Sequence, residues 1–150
     1  MLGVALTLLG LVAAAPTPGL ERFHPNGSPT FCLSAIDGGY SSVDGCGMGL
    51  QSFELAGKQL RQTSGGYNMC VFPEREASGA RITGAVCKDE HSHWAPGPRK
   101  GTIAWKGFWC LDNAWGKLSD GNSVEIWRCS EYDNSNQVWT RTPAPADGWM

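Results

Sequence analysis

Six cysteines, at positions 32, 46, 70, 87, 110 and 129 of a 150-residue chain, constrain this sequence more than any other feature. They stand in three segments that align with one another: FCLSAIDGGYSSVDGCGMGLQSFEL, MCVFPEREASGARITGAVCKDEHSHW and CLDNAWGKLSDGNSVEIWRCSEYDNSNQVW. Each has an early Cys, a turn-rich stretch, a second Cys and a polar-to-aromatic ending. The lead-ins GKQLRQTSGGYNMC and GTIAWKGFWC also match, each reading as a short strand, a glycine turn and a second strand. A period of roughly forty residues means one supersecondary unit used again and again. The simplest pairing then staples each unit to itself: Cys32 with Cys46, Cys70 with Cys87 and Cys110 with Cys129. Each such loop contributes about 3 kcal/mol by chain entropy. Reduced, buried cysteines are the alternative. Without a C-x-x-C pair, a zinc ribbon or redox pair has little support.

The length suits one domain with one core. Twenty glycines and nine prolines imply many turns and few long helices, so the expected class is all-β. A formal charge of -2, with only Arg99 and Lys100 adjacent among the cations, argues against a nucleic-acid surface, which needs clustered cations. Residues 1–14 read as a secretory signal: an apolar run from Leu2 to Val12 precedes small residues suited to a cut at Ala15, and the run is too short to span a bilayer. Secretion to the extracellular space, without membrane insertion, is therefore expected, and it agrees with disulfide formation.

The third segment concentrates Asp112, Trp127 and Asn136, residue types that a packed core does not require. A pyranose offers hydroxyls that donate and accept, and one flatter face of C–H groups. A carboxylate accepts from two adjacent hydroxyls, an indole covers the apolar face, and an amide donates and accepts together. Taken singly, Asp112 reads as a turn residue and Trp127 as a packed one. With C-L-D, G-N-S-V-E-I-W-R-C and N-Q-V-W, the segment resembles the ricin B-type lectin repeat, whose Q-x-W ending falls at Gln137 and Trp139. The first segment carries a weaker version, Gln51-Ser52-Phe53, and the resemblance spans roughly Glu21 to Thr142.

That resemblance implies a disulfide-stapled β-trefoil over residues 20–142, with repeats near 20–55, 56–100 and 101–142 and a tail at 143–150. It also implies a lectin for galactose or N-acetylgalactosamine-type glycans. Asp112, Trp127 and Asn136 become the sugar-binding aspartate, stacking aromatic and amide. Glu125 falls at the pocket edge, Gln137 orients the aspartate and Trp139 joins the core. Asp112 is expected at an exposed surface, where removing it costs little stability.

The other repeats lack this set. Ser34 and Phe72 stand at the aspartate offset and Ala85 at the Trp127 offset, so both sites are expected to be lost. His91, Ser92 and His93 read as a solvated loop rather than a metal site. Glu74, Glu76, Asp89 and Glu90 offer no evident carboxylate pair for glycoside cleavage. No metal, cofactor or catalytic residue is expected. Asn26-Gly27-Ser28 is a glycosylation sequon weakened by Pro29. A secreted protease-inhibitor trefoil remains the alternative; it explains the fold but leaves the third-repeat cluster idle.

Overall fold

The computed structural model describes residues 19–145 apart from 37, 64, 65 and 67. The leader expected at 1–14 lies outside them, as do residues 146–150 of the expected tail. Turn dipeptides decide where the chain folds back. Gly57-Lys58 and Lys106-Gly107 have left-handed φ values of 57° and 62°, and of 52° and 69°. Two successive left-handed residues match the twist of antiparallel neighbours, so each dipeptide closes a tight hairpin.

Twelve strands result among the described residues. They are β1 (Glu21–Pro25), β2 (Phe31–Ser34), β3 (Ser42–Gly45), β4 (Phe53–Ala56), β5 (Gln59–Gln62), β6 (Met69–Pro73), β7 (Ala80–Val86), β8 (Trp94–Pro96), β9 (Ile103–Trp105), β10 (Trp109–Asn113), β11 (Asn122–Arg128) and β12 (Trp139–Pro143). Four fall to each repeat. β1 pairs with β12 and β4, β4 with β5, and β8 with β9. The bonds Trp94 N–H to Lys58 O (2.8 Å) and Trp139 N–H to Gly101 O (2.9 Å) close this set into a ring. Among the described residues closure leaves no long free sheet edge. Hairpins β2–β3, β6–β7 and β10–β11 cover one end and are laced together where β11 meets both β7 and β3. Among the described residues no helix is long and apolar enough to cross a membrane.

The repeats meet in a threefold core. The residue after each first cysteine, Leu33, Val71 or Leu111, is fully buried, and Phe53, Trp94 and Trp139 pack at the matching end of each repeat. Trp94 and Trp139 also use their indole N–H groups, which donate to Val71 O (2.8 Å) and Leu111 O (3.0 Å). Each ring therefore fills the core and ties its repeat's last strand to its second. Disulfides join Cys32–Cys46, Cys70–Cys87 and Cys110–Cys129, one inside each repeat.

Trp139→Ala should cost about 3–5 kcal/mol, since it empties a core position and orphans the Leu111 carbonyl. Chemical denaturation of the oxidised protein checks this. A loss under about 1 kcal/mol would contradict the central placement of Trp139.

Candidate functional site

Register in the β10–β11 hairpin assembles the first part of the site. Leu111, Val124 and Ile126 turn into the core, so the alternate residues Asp112, Glu125 and Trp127 share the opposite face. Asp112 pairs directly with Glu125 and Cys110 with Trp127, the latter pair sitting beside the Cys110–Cys129 bridge. The Trp127 indole N–H donates to Glu125 Oε1 at 2.6 Å, and a Cβ placed on Gly79 of the second repeat would stand 3.7 Å from the ring.

The second part comes from the turn before β12. Asn134 accepts from the Asn136 N–H (3.1 Å), and its carbonyl from the Gln137 N–H (3.0 Å), bending residues 135–137 into one tight turn. Gln137 thereby points inward, donating to Asp112 Oδ2 (3.1 Å) and Arg128 O (3.2 Å) while accepting from the Ser130 N–H (3.0 Å). The Asn136 side-chain oxygen accepts from Asn26 Nδ2 (3.3 Å), and Asn26 Oδ1 accepts from the fully buried Asn113 (3.2 Å). Gly116 lies so close beneath Asn136 that a Cβ there would stand 2.5 Å from its Oδ1. At φ 65° this position suits glycine on both counts.

All five residues singled out from the sequence, Asp112, Glu125, Trp127, Asn136 and Gln137, line one open cleft of about 550 Å³. Among the other lining residues, Trp115, Tyr132 and Asn134 carried no sequence signal. Asp112 departs from its expected exposure: it is only 5% accessible, because the Gln137 turn folds over it. Burial pushes its carboxyl up to about 6, opposed by the Gln137 hydrogen bond and reinforced by the Glu125 charge.

Matching positions in the other repeats show what was substituted. In the first, Gln51 keeps the same bracket, donating to Gly45 O and Ser34 Oγ (both 2.9 Å) and accepting from the Gly47 N–H (2.8 Å), with Ser34 in place of the aspartate. In the second, Phe72 takes the aspartate position and stacks on His91 with centroids 3.9 Å apart. His91 Nδ1 accepts from the Lys88 N–H (3.2 Å), the role Gln137 Oε1 plays at Ser130. His91 is thus a buried structural residue, 4% exposed, and not part of a solvated loop. His93 is exposed and meets the Trp105 ring edge-on.

The remaining candidates are committed elsewhere. Glu74 accepts from the Tyr40 hydroxyl (2.8 Å) and Glu76 from Lys106 and the Trp105 indole, and these bonds hold both carboxyls below their ordinary range. His24 lies 3.7 and 3.6 Å from the sulfurs of Cys32 and Cys46, which are bonded to each other and so are not thiolate ligands. The Asn26 amide of the sequon donates to Asn136, so a glycan attached there would crowd that contact.

No protein-family model matches the chain, and no curated protein matches it by sequence. Solved structures do match. A designed threefold-symmetric protein, ThreeFoil, superposes with a TM-score of 0.66 at 17% identity, over 82% of this chain and 97% of that one. The fold is a β-trefoil. The Macrolepiota procera ricin B-like lectin, solved with lactose, gives 0.59 at 17% identity over 85% of this chain and 98% of that one. The agglutinin from Abrus precatorius gives 0.64 at 16% identity over 88% of this chain, which spans 51% of that one.

The raised Asp112 value sets a pH dependence of stability. Between the ordinary 3.8 and about 6 the folded state holds a proton that the unfolded state has lost, so stability falls as pH rises through this window. Above about 6 both states are ionised and the full cost of the buried charge is present. Asp112→Asn should therefore raise the melting temperature at about pH 7.5, and the gain should shrink toward pH 4. Thermal scans across that range check it. An Asn variant that is less stable at neutral pH would show that Asp112 carries no buried-charge cost.

Proposed function

We propose that this chain is a secreted carbohydrate-binding protein that takes galactose or N-acetylgalactosamine-type glycans through one site in its third repeat. The observation that carries this reading is a buried carboxylate at the base of an open aromatic cleft, present in one repeat and replaced in the other two. A carboxylate so placed costs stability, and a ligand that hydrogen-bonds to it gives that cost a use. Asp112 accepts from two neighbouring hydroxyls of the sugar, with Gln137 holding its second oxygen in place. Trp127 covers the sugar's apolar face, kept in orientation by Glu125, which also accepts from a rim hydroxyl. Asn136, its oxygen already occupied by Asn26, offers its N–H groups. No step of bond cleavage is involved, and the protein acts as a lectin and not as an enzyme. The Macrolepiota lectin solved with lactose supports this reading by its fold. In the same reading residues 1–14 are a signal removed on secretion, and residues 20–142 form the lectin domain.

Calorimetric titration with galactose should give one site per monomer, with a dissociation constant on the order of 1 mM for a single shallow contact set. Asp112→Asn should abolish the heat while the protein stays folded. Wild-type affinity should weaken as pH falls below about 6, where the carboxyl takes a proton and loses acceptor capacity. Two or three galactosides per monomer would show that the Ser34 and Phe72 repeats bind as well. Normal binding by the Asn variant would place the site elsewhere.

A further inference from the structure

We infer that the cleft is built for a glycan of at least two residues, with Trp115 as a second stacking platform outside the Asp112 position. This rests on the carbohydrate-binding reading above and specifies the ligand that the reading leaves open. Three observations carry it.

First, one stacking aromatic serves one pyranose, yet three exposed aromatics line this cleft: Trp127 at 44% exposure, Tyr132 at 78% and Trp115 at 86%. The cleft's volume of about 550 Å³ falls within the range of about 300–1,000 Å³ that encloses drug-sized ligands, the bulk of a di- or trisaccharide.

Second, Trp115 occupies a turn position with Gly116 that leaves its ring in the open cleft. Its backbone sits in the left-handed region (φ 59°, ψ 11°), unfavourable for a bulky residue, and the ring gains almost no packing in return. Around it the loop is fixed by amides. Asn113 donates to Lys117 O (3.0 Å), and Asn122 donates to Ala114 O (2.9 Å) and Asn113 Oδ1 (2.7 Å). The loop backbone on both sides of Trp115 is thus fixed while its ring stands in the open cleft.

Third, the two indoles arrive from different elements. Trp127 belongs to β11 and is bonded to Glu125, the register partner of Asp112. Trp115 belongs to the loop after β10, and its neighbour Gly116 packs against Asn136. The sugar held at Asp112 therefore meets Trp127, and the next residue of the glycan stacks on Trp115, with Tyr132 on the rim between this cleft and a neighbouring one lined by Arg99 and Lys100.

The test is a titration of galactose, lactose and a galactose-terminated tetrasaccharide against wild type, Trp115→Gly and Trp115→Phe. Glycine suits the left-handed backbone, so the first variant removes the ring without destabilising the loop. Wild type should bind the longer glycans about tenfold more tightly than galactose, the gain of one further aromatic contact. Trp115→Gly should lose most of that gain and keep its galactose affinity, and Trp115→Phe should restore part of it. Equal wild-type affinity for all three sugars, or a Trp115→Gly variant that keeps the full gain, would overturn the inference while leaving the lectin reading intact. A Trp115→Gly variant that loses galactose binding along with the rest would place Trp115 at the primary position and overturn it too. Binding of none of the three by wild type would overturn both.

Discussion

The side-chain amide of Gln137 is the interaction on which the third repeat depends. In one group it satisfies the Arg128 carbonyl, the Ser130 N–H and one oxygen of Asp112, across a bend where no strand ladder continues. Buried backbone groups left unmatched there would each cost about 1–3 kcal/mol. The same bracket recurs with Gln51, and in the second repeat the imidazole of His91 supplies its acceptor half. The bracket is therefore first a device for folding a trefoil repeat. A binding carboxylate is an addition that the device tolerates, because the amide has one N–H to spare for whatever follows the first cysteine by two residues.

This separation of scaffold from chemistry explains how two repeats can drop the aspartate and keep the fold. Ser34 accepts the same N–H without carrying charge. Phe72 and His91 replace a polar pair with a stacked one, exchanging a hydrogen bond for apolar contact at the same position. Both substitutions relieve the burial of a carboxylate, and the third repeat alone retains it.

Much of this was legible in the sequence, and the reason is local spacing. The disulfide pairing follows from repeats that each hold two cysteines; Asp112, Glu125 and Trp127 were legible through the resemblance to the ricin B-type repeat, and the hairpin's alternation is what puts them on one face. The illegible part rests on contacts without a local pattern. Asp112 is buried by a turn twenty-five residues away, so its offset from Cys110 could not reveal its exposure. Trp115 adopts a backbone conformation that its residue type disfavours, fixed by Asn113 and Asn122. Asn26 read as a glycosylation sequon because its partners, Asn113 and Asn136, lie 87 and 110 positions along the chain.

That last contact orders events in time. The turn at Asn26 follows β1, which is zipped to β12 along five register pairs, so the amides meet only after opposite ends of the domain have joined. Contacts at such sequence separation pay the largest loop-closure entropy and form late in folding. Until β1 and β12 are joined, Asn136 lacks the support that Asn26 gives it. The cleft becomes complete when the ring closes, which makes its competence a readout of finished folding.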